Sequence, residues 1–167
     1  MLLPAETLRS RIAEIAAEID RHYDGRGITA VVVLKGAFVF AADLIRRLST
    51  PVEVEFVCLA SYGDGTTSTG CVEVASDVTG DVGDREVLII EDVVDTGRSM
   101  DFLINHLHDL GAADVKLCAL LDKPSRREVD LEPDFAGFVI PDVFVVGFGI
   151  DHAQCHRHLP DICAIDE

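Results

Sequence analysis

Three carboxylates, Glu91, Asp92 and Asp95, crowd the end of an aliphatic run in "VLIIEDVVDTGRSM", residues 87–100. Carboxylates accept hydrogen bonds from sugar hydroxyls, take up protons and bind Mg²⁺. They also repel phosphate. The next residues, Thr96, Gly97, Arg98 and Ser99, have the opposite character. They put hydroxyl and backbone donors in a glycine-containing loop that leads into a helix. A helix N-terminus offers free N–H groups and a positive dipole end, which suits a phosphate. Together the two halves call for a ligand carrying a phosphate, a ribose diol and a metal. Helix capping by one acid is the plain alternative, but three acids at one strand end exceed what a cap needs. The loop is neither GxxxxGK[ST] nor GxGxxG.

The surrounding elements must hold that loop in place. Leu8, Ile12, Ile15 and Ile19 recur at helical spacing and predict an amphipathic helix over 6–20. Residues 28–34, "ITAVVVL", form a continuous aliphatic run and predict a strand buried on both faces. A helix over 36–48, a strand over 52–60, a polar turn-rich loop over 61–70 and a short strand "CVEVAS" follow. The second half alternates again, with a strand over 86–92, a helix over 98–111 closed by Gly111, and a strand over 115–122. "FAGFVI" and "VFVVGFGI" read as further strands, and a short helix is expected to begin near Asp151. Strands alternating with helices predict an α/β fold with a mainly parallel, twisted sheet flanked by helices. In such sheets ligands bind beyond the carboxyl ends of the strands, where the acidic stretch lies.

At 167 residues the expectation is one domain, 1–167, and 49% hydrophobic content supplies an ample core. No apolar run is long enough to span a membrane. The N-terminus lacks a basic region followed by a long apolar core, so no secretory signal and a cytoplasmic location are expected. Five cysteines without a CxxC, several inside aliphatic runs, read as reduced, packed thiols. A net charge of −16 argues against a nucleic-acid-binding surface, which needs clustered Lys and Arg. That acid excess would serve solubility or a salty cytoplasm.

"VLIIEDVVDTGRSM" resembles the phosphoribosyl-pyrophosphate-binding motif of type I phosphoribosyltransferases: aliphatics, two acids, two aliphatics, then Asp-Thr-Gly. Other segments are similar to the hypoxanthine-guanine phosphoribosyltransferases of that family. They are "VVVLKGAFVFAADLIRRL", "SYGDGTTSTG", "LLDKPSRR" and "PDFAGFVIPDVFVVGFGIDHAQCHRHLPDIC", so the likeness runs from about residue 30 to the end. It implies the type I fold, with a small hood formed by terminal segments. It also implies transfer of phosphoribose from the pyrophosphate donor to a purine, with Mg²⁺ as cofactor, and a homo-oligomer, dimer or tetramer.

The resemblance assigns roles as follows. Glu91 and Asp92 would accept from the ribose hydroxyls and, with Asp151, hold Mg²⁺. Asp95 would act as general base near purine N7, and the loop from Asp95 through Thr96, Gly97, Arg98 and Ser99 would cradle the 5′-phosphate. Lys35 and Gly36 would bind pyrophosphate, where the family often has a cis peptide before the lysine, and Arg157 would assist. Without the resemblance, "LKG" reads as an ordinary strand-to-helix turn. Lys123 would donate to the purine O6, Phe144 would stack on the base, and the backbone of Val145 would meet its edge. Phe144 read alone is a core aromatic. Ser61 and Tyr62 would open a mobile loop that closes over the site and excludes water.

Two positions depart from the family. Val143 stands where lysine is common, and Asp122 where an uncharged residue is usual; each lowers positive charge near the base. His152, Cys155 and His156 have a spacing that binds zinc on a helix, but no second ligand pair accompanies them. Two other functions are compatible with the fold: a non-catalytic nucleotide-sensing regulator, and a transferase that prefers xanthine or another base.

Overall fold

The computed structural model describes residues 1–62 and 71–165. Its elements in chain order are α1 (Ala5–Tyr23), β1 (Ile28–Leu34), α2 (Phe38–Ile45), β2 (Val52–Tyr62), β3 (Cys71–Ser76) and β4 (Glu86–Val94). There follow α3 (Arg98–Asp109), β5 (Asp114–Asp122), a 3-10 turn Pro124–Arg126, β6 (Phe135–Val139), β7 (Phe144–Val146) and β8 (Cys163–Ile165). Six strands form one sheet in the order β3-β2-β1-β4-β5-β6. Every pairing in it is parallel except β2 with β3. The chain starts in the middle of the sheet, at β1, builds one side, then crosses to β4 and builds the other. The β1/β4 boundary is therefore where strand order reverses, and the crevice for a ligand opens above it.

Continuous aliphatic runs in the central strands reflect burial on both faces, and the side chains alternate between two cores. Ala30 and Val32, with Leu88 and Ile90, pack under α1 and α2 against Leu8, Ile12, Ile15 and Phe40. Val31 and Val33, with Val87 and Ile89, pack under α3 against Met100, Leu103 and Leu107. Buried on both faces, β1 and β4 hold their carboxyl ends in fixed register, Ala30 beside Leu88 and Val32 beside Ile90.

A second sheet of two short antiparallel strands, β7 and β8, stands over that edge. The N-terminus joins it, since Leu3 and Ile162 bridge through backbone hydrogen bonds. This is the hood that the terminal segments were expected to form.

Two expected elements differ. "VFVVGFGI" is a strand only over Phe144–Val146, because Gly147 and Gly149 take φ of 101° and 100° and Phe148 takes 52°, which turns the chain. No helix begins near Asp151. Ala153, Gln154 and His156 all have positive φ, and His152 pairs backbone-to-backbone with Cys155. Left-handed residues cannot continue a right-handed helix.

Candidate active site

The loops after β1, β4 and β5 converge with the hood. At the first, the Leu34–Lys35 peptide is cis, as the resemblance implied, and the Lys35 side chain is exposed. Gly36 packs directly on the second loop. A Cβ on Gly36 would lie 1.8 Å from Asp92 Oδ2, so only glycine leaves the carboxylate room. Gly149 backs onto the same point, its would-be Cβ 2.4 Å from the Gly36 carbonyl oxygen.

Glu91 and Asp92 keep part of their surface exposed, but their carboxyl groups are set deep. Glu91 Oε2 is buried and has no hydrogen-bond partner among the described residues. Burial first, then the neighbouring Asp92 charge, pushes the Glu91 carboxyl well above its ordinary pKa. Burial raises Asp92 too, against the backbone N–H of Val93 and the charge of Arg157, which favour its ionised form. Two adjacent acids held at such cost, one with an orphan oxygen, suit hydroxyl donors or a cation.

Past Val94 the chain turns at Gly97, φ 84°, into α3. The N-cap residue Gly97 has no side chain to cap this helix, and the Arg98 N–H donates to Thr96 Oγ1 at 3.4 Å. Beyond the Arg98 N–H, which Thr96 Oγ1 meets, the first turn has no side-chain cap from Gly97, which suits an anion. Ser99 lies half-buried on that turn. Arg98 faces elsewhere and pairs with Glu128 at 2.5 Å.

Asp95 and Lys123 share a cavity of 590 Å³ with Arg126, Asp142, Val143, Phe144, Ala164 and Ile165. Lys123 is 7% exposed, although its residue type is seldom buried unpaired. Phe144 is 37% exposed and lines the cavity, so it is not a core aromatic. Val145 is buried and its side chain packs into the core. Ser61 and Tyr62 are the last residues of β2, and the rest of the loop they open, 63–70, lies outside the described residues.

Arg157 reaches in from the segment after β7. It donates to the Gly149 carbonyl at 2.8 Å and pairs with Asp151 at 2.6 Å. Asp151 also accepts from the Gln154 N–H, so both of its oxygens are engaged. Among the described residues no three acid, His or Cys side chains gather as a metal-binding group.

The negative charge of Asp122 near the base, noted from its sequence position, is paired. Arg127 forms an ion pair with it, and both side chains are nearly buried. Sequence reading passed over Arg126, Arg127 and Asp142. Arg126 donates from Nε to Asp95 Oδ1 at 3.1 Å and lies 3.6 Å from Asp142. The available signal was two consecutive arginines, three and four residues after a strand-end lysine, in a chain with only 14 Lys and Arg.

A mainly parallel sheet with its strand order reversing beneath two buried acids, a helix N-terminus straight after Asp-Thr-Gly, and a hood are the features of the phosphoribosyltransferase class. The chain belongs to the phosphoribosyl transferase domain family, which matches residues 1–153. Its relatives narrow the class. It is 43% identical to a hypoxanthine phosphoribosyltransferase of Haemophilus influenzae, over 95% of this chain and 90% of that protein. It is equally similar, over 97% of its length, to the bifunctional protein TilS/HprT of Listeria monocytogenes, and spans a quarter of that relative. A crystal structure of a hypoxanthine-guanine phosphoribosyltransferase from Bacillus anthracis superposes with a TM-score of 0.95 at 41% identity, over 99% of this chain and 98% of that one.

Proposed function

We propose that this protein carries out purine salvage, transferring phosphoribose from phosphoribosyl pyrophosphate to hypoxanthine or guanine. The observation that carries the reading is the 590 Å³ cavity that Asp95 and Lys123 line together under Phe144. A planar heterocycle in it meets an aromatic face, a buried cation and a carboxylate at once. The ammonium of Lys123 donates to a purine O6 and cannot accept from the amino group of adenine.

The reaction breaks the bond from C1′ to pyrophosphate, forms the bond from C1′ to purine N9, and takes a proton from the base. Asp95 receives that proton at N7. The 5′-phosphate sits on the N–H groups of the first turn of α3, with Thr96 and Ser99 adding hydroxyls. Glu91 and Asp92 accept from the ribose diol, whose donors satisfy Glu91 Oε2. Their charge also stabilises the oxocarbenium-like state at C1′. Lys35, Gly36 and Arg157 hold the departing pyrophosphate, and Ser61 and Tyr62 close the site. The oxygen donors of Glu91, Asp92 and Asp151 suit Mg²⁺, which is commonly held by one or two carboxylates plus substrate phosphates. When bound, the ion neutralises charge on the leaving pyrophosphate.

The reading includes a cytoplasmic location and a dimer or tetramer. Exposed Phe38 and Phe56, 45% and 50% accessible, support the assembly, to be checked by light scattering at micromolar concentration.

Pyrophosphate release with a panel of bases tests the function. Hypoxanthine and guanine should be substrates with Mg²⁺; equal or better turnover of adenine or xanthine would overturn the base assignment, and none with any base would leave the regulator. Lys123→Gln should lose activity with hypoxanthine and gain relative activity with adenine, because an amide presents either a donor or an acceptor. An unchanged ratio among the bases would show that Lys123 does not read O6.

A further inference from the structure

Arg127 lies just outside the base cavity, yet all three nitrogens of its guanidinium are engaged by the protein, two of them by groups beside the site. Nη1 donates to the backbone carbonyl of Asp95 at 2.5 Å, Nε donates to the Leu131 carbonyl at 2.9 Å, and Nη2 pairs with Asp122. Its aliphatic stem lies against Gly97, where a Cβ would come within 2.9 Å of Arg127 Cδ. Asp122 is the last residue of β5 and the immediate neighbour of Lys123. Its carbonyl accepts from the Ile140 N–H, and the Lys123 N–H donates to the Val94 carbonyl, both at 2.9 Å. The Glu128 N–H closes the connection on the Thr96 carbonyl at 2.9 Å. The head of the phosphate loop and the lysine that faces the base are thus tied through one planar fork.

We propose that Asp122 and Arg127 act as a positioning pair, which fixes the phosphate loop relative to the base-reading lysine so that C1′ and the purine nitrogen meet in line. This rests on the transferase reading above. Neither side chain lines the base cavity, and each nitrogen of the Arg127 guanidinium is already bonded to the protein. Arg127 works through the carbonyl of Asp95, and Asp122 works by holding Arg127. The pair also accounts for an acid beside Lys123: without Asp122 the guanidinium would lose its only charged partner among the described residues. A lysine could not replace Arg127, since one ammonium cannot reach three acceptors arranged around a plane.

The test is steady-state kinetics of Arg127→Lys, Asp122→Ala and Asp122→Asn, beside thermal melts, at a temperature where each is fully folded. Misplacement by about 1 Å can cost roughly 100-fold, so kcat of Arg127→Lys and Asp122→Ala should fall about 10- to 100-fold. KM for the donor and for the base should change less than kcat. Asp122→Asn keeps an oxygen acceptor for Nη2 and should retain most of the turnover that Asp122→Ala loses. The double variant Asp122→Ala/Arg127→Lys should be no slower than the worse single one, because the two act as a unit. Folded variants with wild-type kcat would overturn the proposal and leave a structural ion pair. If Arg127→Lys does not fold, equal turnover of Asp122→Ala and Asp122→Asn would overturn it. Absence of transfer by the wild-type protein with every base would instead overturn the function on which it rests.

Discussion

Glu91 is held against its own chemistry. Its buried Oε2 lacks a partner among the described residues, and burial together with the Asp92 charge raises its carboxyl well above the ordinary value. A raised native pKa means that the folded protein binds the proton more tightly than the unfolded chain does. Stability then rises as pH falls through the native pKa towards the ordinary carboxylate range, and the cost is fully present at higher pH. Glu91→Gln removes the charge but keeps the shape. Its melting temperature at pH 8 should exceed that of wild type by a few degrees, since about 1 kcal/mol shifts a domain of this size by roughly 2–4 °C. The advantage should shrink on acidification to pH 5, while transfer activity falls. A variant no more stable than wild type at pH 8 would show that the burial of this carboxylate is already compensated. The expected trade of stability for activity fits an oxygen kept ready for a hydroxyl that arrives with the substrate.

At the level of elements, the site is three strand-to-loop junctions pressed together, and Gly36 is where two of them touch. Adding one methyl there puts a carbon 1.8 Å from Asp92 Oδ2, so the carboxylate or the β1–α2 loop must shift. Gly36→Ala should lower kcat/KM for the donor by about 100-fold, with a fold that still melts cooperatively. Activity within threefold of wild type would mean that Asp92 can turn aside without consequence. The strands carrying these junctions were legible in sequence because β1, β4 and β5 are aliphatic on both faces, and a run of that kind ends where burial ends. Lys35, Glu91, Asp92 and Lys123 could be assigned to strand ends for the same reason. The segment after Asp151 was not legible. Its histidine spacing imitates a helix, whereas three left-handed residues between 153 and 156 make turns. Arg127 was missed on other grounds. Its partners Asp95 and Asp122 lie 32 and 5 residues away, and no local period announces a side chain that doubles back across a loop.

Over the whole molecule, electrostatics sets a constraint that no single junction reveals. The chain carries 30 acids and 14 Lys and Arg. Even if every basic residue paired with its own acid, 30 − 14 = 16 carboxylates would remain without a cation. The pairs present do not all relieve that excess: Arg11 alone contacts both Glu14 and Glu18. A compact body with this surplus repels itself, and unfolding spreads the charges apart. Screening weakens the repulsion within a Debye length, about 10 Å at 0.1 M salt. The melting temperature at pH 7.5 should therefore climb by several degrees between roughly 0.02 and 0.3 M NaCl, most steeply at the low end where the Debye length changes fastest. Equal osmolality of sucrose, which screens nothing, separates this effect from preferential exclusion, which stabilises without regard to charge. The rise should be smaller at pH 5, where exposed carboxylates begin to protonate and the surplus falls. A melting temperature that stays level with NaCl at pH 7.5, or climbs equally with sucrose, would show that the acids are spaced widely enough not to strain the fold.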